Sequence, residues 1–267
     1  MKIFAISDLH LSFQTDKPMN LFGEHWDGYE QKIMDDWNSK VGPDDIGIIA
    51  GDISWAMKME ETVKDFEYIK KLNGKKIIIR GNHDYWWKSI SKIREALAPD
   101  GYALQNDAIQ IGDITFAGTR GWRVPERKHV QSGEDKKIYS REIIRFELSL
   151  KDARQKMGLP PLGKQEDPIT EEVTLGEGSF VESLARKENE QNGKRLVAII
   201  HYPPFNATLD SSPFTRLCEK YGVTACIYGH LHGKQGRTQH VVEKNGVKYY
   251  LTSCDKLNHK VATIPLD

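Results

Sequence analysis

The sequence predicts an α/β fold built on two sheets, and three observations lead to it. Short apolar runs rich in β-branched residues alternate with stretches of helical periodicity. The runs lack the polar alternation of a one-sided sheet, as strands covered on both faces do. Each run breaks off at a cluster of small and polar residues, the end of the strand at which open α/β sheets keep their ligands.

The elements follow in order. The run Ile3 to Ile6 ends at Ser7-Asp8-Leu9-His10. Tyr29 to Lys40 reads as a helix, with Ile33, Met34 and Trp37 at helical spacing. Ile46 to Ala50 is the second strand and ends at Gly51-Asp52. Met59 to Leu72 is a second helix through Val63, Phe66, Ile69 and Lys70. Ile77 to Ile79 is a strand running into Arg80-Gly81-Asn82-His83-Asp84, and Ser89 to Leu97 is a third helix on Ile90, Ile93 and Leu97. Strand and helix at this spacing make parallel βαβ units. Ala103 to Gly118 reads as short strands with a turn at Gly112-Asp113, and Ile138 to Met157 as a helix. Residues 158–194 read as a mobile insertion or, the favoured alternative, a helical hairpin, with Ser179 and Glu182 as the capping box of a helix through Lys187. Leu196 to Ile200 is a strand ending at His201-Tyr202-Pro203-Pro204, and Ala225 to Tyr228 is a strand ending at Gly229-His230-Leu231-His232. Gly236 to Val242 and Val247 to Thr252 form a hairpin about Asn245-Gly246, and Val261 to Ile264 adds a last strand.

Length and composition restrict the function classes. The 267 residues suit one domain spanning 1–267, with a helical insertion at about 119–195. Thirty-eight Lys and Arg balance thirty-eight Asp and Glu, so bulk charge does not favour a nucleic-acid partner. No apolar run reaches the ~18 residues of a membrane span. The start of the chain reaches Asp8 too soon for a signal peptide. Cys218, Cys226 and Cys254 are odd in number and far apart, which fits packing roles in a reducing compartment, here expected to be the cytoplasm.

The strand-end clusters together offer Asp8, His10, Asp52, Asn82, His83, His201, His230 and His232. Carboxylate and imidazole suit Mn, Fe, Zn, Ni or Co, and the set is too large for one ion but right for two. Asp8-x-His10 and His230-x-His232 bring both side chains to one face if the backbone stays extended. Gly51 and Gly81 leave room where the backbone passes close to an ion. Asp52 is the natural bridge, and Asn82 supplies a neutral amide oxygen. Singly, each cluster is an ordinary turn or polar residue; in series, they are hard to explain as packing.

This series resembles the calcineurin-like metallophosphoesterases, whose pattern is Asp-x-His, Gly-Asp, Gly-Asn-His-Asp/Glu, a downstream His and Gly-His-x-His. The resemblance spans residues 1–118 and 196 to about 255 and leaves 119–195 unassigned. It implies a four-layer α/β/β/α sandwich of two mixed sheets flanked by helices. It implies two divalent transition-metal ions, one on Asp8, His10 and His232 and one on Asn82, His201 and His230, with Asp52 shared. The implied reaction is hydrolysis of a phosphomonoester or phosphodiester by direct attack of a metal-bridging hydroxide. His83 would contact the phosphoryl group or protonate the leaving oxygen, and Asp84 would orient its ring. The rivals are a non-catalytic scaffold and a nucleotide-binding module on the same fold.

Around these motifs, Arg80, Arg120 and Arg123 are candidates to hold phosphate oxygens of a small phosphoester substrate. Lys128 and His129 lie just beyond. Trp55, Trp86, Trp87 and Trp122 follow motif loops and either rim a cleft or pack its walls. Lys256 and His259 are placed near the same edge without a role.

Overall fold

The computed structural model describes residues 1–127, 131–162, 184–233 and 239–266. Among them, one sheet contains β1 (Ile3–Ile6), β2 (Ile46–Ile49), β3 (Lys75–Ile79), β4 (Gly101–Leu104) and β11 (Ala262–Thr263), in the order β11-β1-β2-β3-β4. The other contains β5 (Asp107–Ile111), β6 (Ile114–Thr119), β7 (Arg195–Ile200), β8 (Ala225–Tyr228), β9 (Val241–Lys244) and β10 (Val247–Leu251), in the order β5-β6-β7-β8-β10-β9. Both sheets are mixed: β11 is antiparallel to β1, and β5 and β9 are antiparallel to β6 and β10, while the other pairs are parallel.

The period-two pattern of the strands builds the layers. Ile3, Ala5, Ile48, Ile77 and Ile79 meet Phe116, Val197, Ile199 and Ile227 of the second sheet in the central core. The alternate residues of the first sheet, such as Phe4, Ile6, Ile49 and Ile78, face outward onto three helices. These are α1 (Tyr29–Lys40), α2 (Val63–Lys70) and α3 (Ile90–Leu97), which contribute Trp37, Phe66 and Ile93. On the second sheet, Ala117, Ala198, Cys226 and Tyr249 face α4 (Gly133–Lys156) and α6 (Pro213–Lys220) through Phe146, Leu150, Phe214 and Leu217. The result is the four-layer sandwich. Cys218, Cys226 and Cys254 are buried and unpaired, as packing residues are.

Local chemistry sets the boundaries. Ser132 caps α4 by accepting from Asp135 N–H, and Glu134 and Asp135 lie at its positive end with Arg154 and Lys156 at the other. Ser212 and Pro213 start α6 in the same manner. Asn245 and Gly246, both at positive φ, close the β9–β10 hairpin. Three expectations shift. The helix expected over Met59 to Leu72 divides into a 3-10 turn, Met59–Thr62, and α2. The run Ala103 to Gly118 serves both sheets, with β4 in the first and β5 and β6 in the second. In the expected insertion, α4 covers β5 and β6 and forms part of the outer layer. Arg154 at its end bonds the Pro160 carbonyl and Glu188 of α5 (Leu184–Gln191). The expected Ser179–Glu182 capping box, Lys128 and His129 and the start of the expected strand at Gly236 lie outside the described residues. No helix among the described residues is long and apolar enough to cross a membrane.

What positions the site is register. Ile6, Ile49 and Ile78 stand side by side, so β1, β2 and β3 release their loops at one level. Beyond it β1 crosses the seam: Ser7 N–H donates to the Thr252 carbonyl at 2.8 Å, and Cys254 N–H donates to the Ser7 carbonyl at 3.0 Å. This bridge joins the two sheets where their polar loops begin.

Candidate metal centre

The loops after β1 and β2 are zipped together. Asp8 N–H donates to the Gly51 carbonyl and His10 N–H to the Asp52 carbonyl, each at 3.0 Å. Asp8, His10, Asp52 and His230 all have positive φ, at 58°, 47°, 51° and 72°. Such backbone in non-glycine residues is costly and concentrates at functional sites. It also corrects one expectation. Asp8-x-His10 and His230-x-His232 are not extended; their side chains converge because left-handed turns aim them inward, and His232 N–H donates to the His230 carbonyl at 3.2 Å.

Two glycines let the loops touch. A Cβ on Gly81 would stand 2.1 Å from Asp52 Oδ1, and one on Gly229 would stand 2.3 Å from Ser7 Oγ and 2.7 Å from Asp8 Oδ2. Any side chain at either place would displace a carboxylate.

The structure brings the expected ligands together. Donor atoms of Asp8, His10 and His232 lie within 4.8 Å of one another, as do those of Asp8, Asp52 and His201. Asp52 Oδ2, in the second group, lies 3.4 Å from His201 Nε2 and also faces the first group, 3.8 Å from His10 Nε2. Asn82 Oδ1 lies 2.9 Å from His201 Nε2 and 2.8 Å from His230 Nδ1. Asp8, His10, Asp52 and His201 are fully buried.

This donor set fits divalent cations. Both nitrogens of His10 and Asp52 Oδ2 are buried with no hydrogen-bond partner, a costly arrangement unless a cation occupies the point they face. His201 Nδ1 lies 3.0 Å from the Ala50 carbonyl; donating there when a cation displaces the second ring proton, it would leave Nε2 as the ligand atom. The electrostatics agree. Burial works against a charge on Asp52, but His201 and His10 outweigh it and hold its carboxyl below the usual range. Burial likewise opposes charge on His201, yet Asp52 lifts it to about 9. Burial brings His10 down to about 4, and burial with His201 brings His230 down to about 4. The cluster therefore draws positive charge to the point that Asp52 faces.

Other residues hold the ligands in place; of these the sequence singled out Trp55 as a wall or rim residue, but not Ser7 or Tyr29 as site residues. Ser7 Oγ donates to Asp8 Oδ2 at 2.7 Å, and Tyr29 OH donates to the His10 carbonyl at 3.1 Å. Trp55 stacks on His10 with ring centroids 4.6 Å apart. Ser7 had a signal in the sequence, its place immediately before Asp8, as Trp55 did in following Gly51-Asp52.

His83 stands beside the cluster and not in it. Its backbone N–H donates to Asp52 Oδ1 at 2.8 Å, and its half-buried ring packs 4.7 Å from Trp55 and 5.5 Å from His10. Burial lowers its pKa. The expectation that Asp84 orients this ring is not met. Asp84 accepts instead from Ile53 N–H, Ser54 N–H, Gly81 N–H and Trp86 Nε1–H, at 2.7–3.1 Å. Burial and the nearby Asp52 push it up to about 6. Its task is to tie the Asp52 loop to the Asn82 loop. Replacing Asp84 with Ala leaves three buried backbone N–H groups bare, at about 1–3 kcal/mol each if water does not replace the acceptor. The denaturation midpoint should fall sharply. Lost turnover at unchanged stability would show that the ring is its partner after all.

The arginines separate. Arg80 and Arg120 line one small cavity, while exposed Arg123 lines a cleft of about 640 Å³ with Tyr202, Phe205, His230 and Leu231. Arg127 pairs with Asp210 through two bonds, at 2.8 and 2.6 Å, and fastens the near wall of that cleft. Trp86 and Trp87 are buried and pack walls; Trp55 and Trp122 are partly exposed. Lys256 Nζ donates to the Gly233 carbonyl beside the His232 loop, whereas His259 packs against Trp26 and Tyr29.

A sequence profile of the calcineurin-like phosphoesterases matches residues 1–234. No curated protein sequence matches the chain. Among solved structures, TT1561 of Thermus thermophilus is similar, with a TM-score of 0.55, 10% identity and coverage of 99% of this chain and 98% of that one. Phosphopantetheinyl hydrolase (PptH) from Mycobacterium tuberculosis gives 0.48 at 14% identity, covering 100% and 96%. AQ665 from Aquifex aeolicus, a protein of unknown function, gives 0.45 at 14% identity, covering 98% and 95%.

Proposed function

Because this chain belongs to the calcineurin-like phosphoesterase family, we propose that it hydrolyses a small phosphomonoester or phosphodiester with two divalent transition-metal ions. The observation that supports this most is the unpartnered, fully buried Asp52 Oδ2 facing His201 of its own donor group and His10 of the other. In this reading Asp8, His10 and His232 hold one cation, Asn82, His201 and His230 hold the other, and Asp52 serves both. When bound, such a pair supplies an activated water and Lewis-acid stabilisation of phosphoryl charge.

The chain's own residues do the rest. His83, at the rim beside the cluster, meets the phosphoryl group and delivers a proton to the departing oxygen. The tilted contact with Trp55 restricts the direction of its ring. Asp84 keeps the Asn82 and His83 loop at its distance from Asp52. The organic part of the substrate lies in the larger cleft, where Arg123 offers a guanidinium and Phe205 and Leu231 offer apolar wall. The whole chain acts as one catalytic domain in which α4 is part of the outer layer, and its three free cysteines suit the cytoplasm.

The test is turnover of a chromogenic monoester and diester by purified protein with Mn added and then chelated, alongside elemental analysis. Two equivalents of metal and a rate that chelation abolishes are expected. Bound metal without any rate would make the chain a scaffold, and nucleotide bound tightly but released unchanged would make it a binding module.

A further inference from the structure

Beside the ligand cluster lies a half-open cavity of about 130 Å³, lined by the ends of β3, β4 and β6 and by α4. That is room enough for a tetrahedral oxyanion. Arg80, Arg120 and Arg145 line it, and Glu142 is the one acid among its described lining residues. Glu142 is buried and already committed three times: it accepts from Arg145 Nη1 at 2.6 Å, from Arg120 Nη2 at 3.3 Å and from Thr119 Oγ1 at 3.4 Å. Asp84 and Glu142 act on Arg80 through space, but Arg80 Nε is buried without a hydrogen-bond partner. Three guanidiniums against one carboxylate leave the cavity two charges positive. The buried Arg80 Nε has no acceptor within the protein, and an anion in the cavity would supply one.

The cavity adjoins the proposed catalytic centre through the backbone. Arg80 precedes Gly81-Asn82, and the Arg120 carbonyl accepts from His201 N–H at 2.9 Å. We propose that this cavity binds a phosphate group in addition to the one that is hydrolysed, so that the preferred substrate is a phosphoester carrying a second phosphate. The substrate assignment rests on the phosphoesterase reading; the phosphate site itself does not. Guanidiniums in a fork suit this ligand better than ammonium groups would.

The test compares the metal-loaded full chain with its Arg145→Gln variant, since Arg145 is half exposed and on the far side of the cavity from the motifs. Calorimetric titration with inorganic phosphate should find two sites in the wild type and one in Arg145→Gln, or a second site weakened about 10–100-fold, the usual cost of a lost charged hydrogen bond. kcat/KM for a sugar bisphosphate should fall by the same factor, while that for the chromogenic monoester stays unchanged. Glu142→Gln, which removes the competing carboxylate, should tighten the second site. Loss of the second site with no change in bisphosphate preference supports the site and assigns it to free phosphate. Loss of that site in a chain with no turnover at all keeps the inference and removes the phosphoesterase reading. Identical phosphate binding in the wild type and Arg145→Gln overturns the inference.

Discussion

Asp52→Asn should strip cations from the purified protein and all but abolish its turnover. The reason lies in how the carboxylate is divided. Oδ1 is held by His83 N–H at 2.8 Å, so an asparagine keeps its oxygen on that side. The amide nitrogen is then forced toward the point that His10 Nε2 and His201 Nε2 face, where it brings two hydrogens and no available lone pair. The change also removes the negative charge that outweighs the burial of His201. The loss should exceed the ~10–100-fold that removal of a group behind a ligand costs a metal site. Elemental analysis and single-turnover rates measure it. Full metal content with ordinary turnover would mean that Asp52 bridges nothing.

His83→Ala should show the opposite separation. The ring makes no hydrogen bond within the cluster and belongs to neither donor group, so both cations should remain. kcat should nonetheless fall by ~10²–10⁴-fold, the span for a lost general acid. The defect should shrink for a substrate whose leaving group departs readily without a proton, such as a nitrophenol, compared with an alkyl ester. Loss of metal in this variant would place His83 among the ligands, and an equal defect for both leaving groups would remove its role as acid.

The sequence displays the ligands but not the geometry that aims them. Asp8, Asp52 and Asn82 are readable because each follows an apolar run, and parallel pairing in register must bring the ends of such runs to one level. The left-handed turns at Asp8 and His10 are not readable, since residues of those types adopt ordinary backbone almost everywhere else. Asp84 misleads for a related reason. A carboxylate next to a histidine in sequence looks like its partner, but the turn directs it into the protein, to N–H groups of the loop after β2. Arg145 carries no local signal at all, because only the packing of α4 on β5 and β6 brings it to Arg80 and Arg120. Trp86 and Trp87 follow a motif and are still interior residues, which spacing cannot distinguish from a cleft rim.

The hydrogen bonds between Ser7 and the segment Thr252–Cys254 close a loop of nearly the whole polypeptide. Contacts so distant in sequence form late, because chain entropy must be lost before they stabilise anything. A growing nascent chain can complete β1, β2 and β3 on the ribosome and still lack His201, His230 and His232. Nearly half of the cation-binding groups would then await the final stretch of synthesis, and a truncated translation product would carry the opening motifs without a finished pocket for metal.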